Sequence, residues 1–168
     1  MPLLKTYDLF ISHAWRYDKD YDHRGKGPLT WSLPTSTDLV LTLQISLAGL
    51  LAGLIGWQRH HAGRPAGART HALVAMAAAS FSFAGIYGFA PGGPQDPTRI
   101  AAQVVTGVGF LGAGTIFRAQ DRVYGLTTAA TLWFAAGLGV LIAAGLTWIA
   151  IFTTAIALVV LTVVGILE

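Results

Sequence analysis

Asp96 and Arg99 stand three residues apart, and Gln103 follows one turn later. On a helix that begins near Asp96, all three share one side. A carboxylate at such a helix start has two uses. It can cap the free N–H groups, or it can serve as a charged group favoured by the positive end of the helix. A second polar set comprises Arg59, Arg69, His71, Arg118, Thr127 and Thr128, all at the ends of apolar runs. The two threonine hydroxyls can bond back to their own helix. His60, His61 and His71 raise the question of a metal. Adjacent histidines diverge on a helix and no carboxylate is near, so the stretch reads as a solvated basic loop and no metal site is expected. Gly107-Val-Gly-Phe-Leu-Gly112 matches a dinucleotide fingerprint, but it lies inside an apolar run with no βαβ unit around it. No nucleophile–base pair, paired carboxylates or phosphate loop can be assembled. Neither catalytic residues nor a cofactor are therefore expected, and the chain reads as a non-enzyme.

The elements that must position these residues are apolar runs. The chain has 168 residues, 54% hydrophobic and 11% charged, with a mean hydropathy of +0.58. A soluble domain carries roughly 25% charged residues, so the composition indicates an integral membrane protein whose first partner is the lipid bilayer. Without cysteine, disulfides and thiolate metal sites are excluded. The net charge of +3 sits at segment ends and in the N-terminal region rather than along a stripe, so it does not indicate nucleic acid. Apolar segments of spanning length are expected at 39–57, 72–89, 100–117, 126–144 and 146–167. The fold class that follows is all-α, a polytopic bundle of about five transmembrane helices behind a mostly irregular tail at 1–37. The first long apolar run starts near Leu39, so no cleavable leader is expected.

Loops after the first and third segments carry Arg59, Arg64, Arg69, Arg118 and Arg122, whereas Arg99 alone follows the second. The positive-inside rule then places those two loops and the C-terminus in the cytoplasm, with the N-terminus outside. Within the spans, Gly49, Gly53 and Gly56 share one helical face, Gly107 and Gly114 share another, and Gly109 and Gly112 flank it. These faces are expected to pack helix against helix, since small residues permit close approach in lipid. No ionisable residue falls at mid-membrane, where an ion path usually buries one.

Four strings are distinctive: Gly53-Leu-Ile-Gly56 with Arg59, Ala66-Gly-Ala-Arg-Thr-His-Ala-Leu-Val74, the run from Asp96 to Gly114, and Gly125-Leu-Thr-Thr-Ala-Ala-Thr-Leu-Trp133. With them, residues 38–168 closely resemble the MgtC/SapB family. The resemblance implies a bacterial inner-membrane protein linked to growth at low magnesium, acid tolerance and survival inside macrophages. Some members are thought to restrain the membrane sector of ATP synthase, and the family is not established as a magnesium transporter. Two departures stand out. Gln58 occupies the position where members commonly carry glutamate, and the soluble C-terminal domain of longer members is expected to be absent. Residues 7–15, with Tyr17 and Tyr21, resemble the start of a TIR-like domain of the anti-phage signalling kind, without the sheet that should follow. The expected function is regulatory, through contacts with membrane proteins such as ATP synthase or a second copy of the chain. The alternatives are an ion transporter or channel with Asp96 at its mouth, and a membrane effector of an anti-phage system.

Overall fold

Thr35 and Asp38 start the first helix by a reciprocal exchange. The Thr35 hydroxyl accepts from the Asp38 N–H at 3.3 Å, and the Asp38 carboxylate accepts from the Thr35 N–H at 2.8 Å. The structure, a computed structural model, describes residues 35–87 and 96–167. The 1–34 tail with its TIR-like stretch, and most of the loop holding Pro91 and Pro94, lie outside the described residues.

Helix α1 (Ser36–His61) is followed by α2 (Ala68–Tyr87), α3 (Pro97–Ala113), strands β1 (Phe117–Ala119) and β2 (Arg122–Tyr124), then α4 (Leu126–Ala143) and α5 (Thr147–Leu167). Both ends of α1 outrun the apolar segment at 39–57, because the capping box and the polar Gln58–His61 turn stay helical. Helix α3 is shorter than the apolar run at 100–117. It stops at Ala113, where the Thr115 hydroxyl donates to the Gly112 carbonyl at 2.7 Å. Thr115 and Ile116 are β-branched and weak helix formers, and the chain turns into a hairpin instead. That hairpin pairs Phe117 with Tyr124, their rings stacked at 5.4 Å, and Gln120 turns it at φ 54°. Four of the described helices are long and apolar enough to cross a membrane. At 17 residues, α3 stands at the lower bound for a spanning helix, so the expected fifth crossing is of minimal length.

Helices α2 and α4 form the centre, lined by small side chains: Ala75, Ala78, Ala79, Ala135 and Ala136 are buried, with Leu132, Leu138 and Ile142 among them. Glycine sets the spacing. A Cβ on Gly139 of α4 would collide with the Ala75 carbonyl and sit 2.8 Å from the Ala79 nitrogen. A Cβ on Gly56 of α1 would lie 2.6 Å from the Gly67 carbonyl and 2.7 Å from Ala68 Cα. Gly49 meets the Met76 side chain, so α1 and α2 run antiparallel with Gly56 at the start of α2. At the far end of α2, a Cβ on Gly85 would lie 3.0 Å from Ile100, near the start of α3.

The glycines of α3 differ from expectation. A Cβ on Gly107 or Gly109 would meet nothing within 4 Å, and one on Gly114 meets only its own helix at Leu111 and Phe110. The inward side of α3 is carried by Val104 and Val108 and then by Gly112, 3.5 Å from Ala129. Spacing by four fixes that side, and Gly107 and Gly109, two residues apart, lie on its opposite flanks, Gly107 along the groove between α2 and α3.

These contacts separate two kinds of glycine. Gly56→Leu and Gly139→Leu force backbones apart and are expected to cost at least the roughly 1–3 kcal/mol typical of overpacking. Gly107→Leu is expected to melt like the parent. Thermal melting of the purified protein in detergent checks this, and a large loss for Gly107→Leu would mean that α3 is rotated from the arrangement described.

Candidate functional site

One end of the bundle gathers the C-terminus of α1, the starts of α2 and α4, and the β1–β2 hairpin. Gly56 lets Ala68 come close, and one turn into α2 this carries His71 wholly inside, at 0% exposure. Its Nδ1 lies 3.0 Å from the Gly67 carbonyl, and its Nε2 lies 3.0 Å from the Thr131 hydroxyl of α4. A carbonyl only accepts, so Nδ1 carries a hydrogen. With a neutral ring, Nε2 accepts from the Thr131 hydroxyl. That hydroxyl also stands 2.9 Å from the Thr128 carbonyl, to which it donates instead when the ring is doubly protonated. The chain Gly67–His71–Thr131–Thr128 therefore ties the first turns of α2 and α4 together.

Arg59 belongs to the same end. It continues the inward face of α1 after Ala48, Ala52 and Ile55, and it is 6% exposed. Its Nε finds no hydrogen-bond partner among the described residues. Of the expected polar set, the structure brings together Arg59, His71 and Thr128. Thr127 and Arg69 are exposed. Arg118 is exposed on the hairpin, donating from Nε to the Gln120 carbonyl at 3.2 Å and standing 3.7 Å from Asp121. The neighbouring histidines do not converge on a common point: His61 bonds the Trp57 carbonyl of its own helix at 3.0 Å. Among the described residues no group of three His, Cys, Asp or Glu could hold a metal ion.

Asp96, Arg99 and Gln103 stand at the opposite end, so the two polar sets do not form one constellation. Asp96 is the N-cap of α3, accepting from the Thr98 N–H at 3.0 Å and from the Thr98 hydroxyl, with Pro97 in the first turn. Thr98 holds the Asp96 carboxyl below the usual carboxylate value. A lowered value means that the cap is fully present above the ordinary carboxylate pKa and is lost as pH falls through the lowered one. Arg99 is exposed, and Gln103 lines an apolar groove of about 650 Å³ between α2 and α3 with Phe81, Ile100 and Leu111.

Thr131 was not foreseen. Its signal is weak, because its partner lies 60 residues away and nothing local to α4 marks it.

The MgtC family model matches residues 45–168. The chain belongs to the MgtC family. It is 43% identical over 126 residues to YhiD of Escherichia coli K12, named as a candidate magnesium transporter, covering 72% of this chain and 59% of YhiD. To Protein MgtC of Brucella abortus it is 53% identical over 102 residues, covering 60% of this chain and 42% of that protein. To Protein MgtC of Salmonella typhimurium LT2 it is 50% identical over 103 residues, covering 61% and 43%. The chain thus spans about half the length of these curated relatives. No solved structure matches.

In this MgtC-family chain, the Gln58 Nε2 donates to the Leu161 carbonyl of α5 at 3.4 Å. An ionised glutamate has no hydrogen to donate there, so the amide gives α5 a tie that the acid could not.

The His71 network makes a direct prediction. Thr131→Val keeps the shape and removes the partner of a buried ring nitrogen. It is expected to cost about 1–3 kcal/mol, the penalty for an orphaned buried polar group. Melting in detergent measures it; an unchanged melting temperature would show that water or a rotated ring replaces the hydroxyl.

Proposed function

We propose that this MgtC-family protein is a regulator in the bacterial inner membrane, not an enzyme, and that it works by helix contacts with another membrane protein. One observation carries the reading. A Cβ on Gly109 of α3 would meet nothing of its own chain within 4 Å, and Phe110, the next residue, is 82% exposed. In lipid, such a surface lets a second backbone approach closely. The family link to low-magnesium growth, acid tolerance and intracellular survival fits this mode. The membrane sector of ATP synthase is the leading partner, and a second copy of the chain is the other.

The orientation we propose puts the end with Arg59, Arg64, Arg69, Arg118 and Arg122 in the cytoplasm, together with the C-terminus, and the N-terminus outside. Reporter fusions at Gly63 and Gln120 are then expected to be active on the cytoplasmic side. A fusion at Gly63 active on the outer side would reverse the orientation.

The name of YhiD favours a second reading, Mg²⁺ transport with Asp96 at the outer mouth. Mg²⁺ takes carboxylates and retained waters. Asp38 and Asp96, the described carboxylates at that end, are both engaged as helix caps, which favours the contact reading. Mg²⁺ flux into liposomes that hold only this protein would reverse the ranking.

The contact reading predicts that function and folding come apart at α3. Gly109→Leu is expected to keep the parent's melting temperature, to lose the partner captured by crosslinking in membranes, and to fail in low-magnesium growth. Full complementation by Gly109→Leu would leave that surface to lipid.

A further inference from the structure

We infer that Arg59 is the anchor of a site for a phosphate-type oxyanion, built where α1 ends and α2 and α4 begin. The residue is 6% exposed on the inward face of α1. No described residue bonds or pairs with its guanidinium, and its buried Nε has no partner. A buried charge left without a partner is strongly destabilising, so this position calls for a counter-charge from outside the described fold.

The surroundings select an anion. The helix starts at Ala68 and Leu126 meet at this end, joined through His71 and Thr131. Each start points free N–H groups and the positive end of a helix dipole the same way, the arrangement that binds phosphate groups. Gly125 caps α4 with no side-chain hydrogen bond. The described carboxylate at this end is Asp121, fully exposed on the hairpin beside Arg118. The guanidinium fork matches phosphate oxygens two at a time. Phosphate reaches such a place from two sources, an anionic lipid headgroup or soluble phosphate. Basic pockets between membrane helices take the former.

The test uses the full chain, purified in detergent in phosphate-free buffer at fixed ionic strength, with three probes: phosphatidylglycerol, phosphatidylcholine and inorganic phosphate. The parent is expected to show a saturable rise in melting temperature with phosphatidylglycerol or with inorganic phosphate. Arg59→Gln is expected to need at least about tenfold more of that probe, the loss of one charge-assisted bidentate contact. A response to phosphatidylglycerol alone identifies the lipid headgroup, and a response to inorganic phosphate identifies the soluble ion. Should Arg59→Gln not fold, Arg59→Lys keeps the charge without the fork. The Arg59 side-chain ¹⁵N resonance of the parent must also move as the effective probe is added. Equal shifts in parent and variant, an equal response to phosphatidylcholine, or an unmoved Arg59 resonance would each overturn the site. So would a Glu168→Gln chain that, with no probe added, melts as low as Arg59→Gln, because the chain's own carboxylate would then pair with Arg59.

Discussion

The arrangement depends on how closely three backbones approach one another. Helices in lipid gain no hydrophobic push toward each other, so van der Waals contact and internal hydrogen bonds must hold them. Gly139 sets α4 against the backbone of α2 at Ala75 and Ala79, and Gly56 sets α1 against the first residues of α2. Alanines fill the space between. Because the helices meet this closely, a histidine in the first turn of α2 has nowhere to go but inside, within reach of Thr131. The polar network at that end is a consequence of the glycine contacts.

The same constraint separates what the sequence made legible from what it concealed. Apolar runs of spanning length and cap chemistry are local properties, so the helices stood close to where they were expected. The Asp96-Pro97 start of α3 was readable for the same reason. The role of each glycine was not, because it depends on how a helix is rotated toward its neighbours. Gly49, Gly53 and Gly56 form an inward row on α1, whereas a Cβ on Gly107 or Gly109 of α3 would meet nothing within 4 Å. Gly107 and Gly114 are also spaced to share one helix face, and spacing alone cannot distinguish an inner face from an outer one. The stop of α3 at Ala113 was hidden too, since Thr115 and Ile116 are apolar enough to extend a run while favouring an extended chain.

Site residues divide along that line. Asp96 could be read as a cap because its partner is Thr98, two residues on. Arg59, His71 and Thr128 could be named as end-of-segment polar residues, but their convergence with Thr131 is a product of packing between α1, α2 and α4. Gln58 illustrates the opposite case. The sequence marks it only by its residue type, and in the fold it is a donor to the Leu161 carbonyl of α5.

The two ends of the bundle then differ in kind. At the end of Asp38 and Asp96, each of these two acids is matched to a helix start, where it satisfies free N–H groups and the dipole together. At the other end, the starts of α2 and α4 face a basic neighbourhood instead, with Arg59 buried among them. Positive charge beside a positive helix end is unfavourable on its own, and burial makes it more so by removing the water that would screen it. The last-turn position of Arg59 on α1 offsets part of that cost, because the negative end of its own helix favours a cation, and the proposed anion would offset the rest. The helix caps therefore satisfy one end from within the chain, while the other is left open to a negative group.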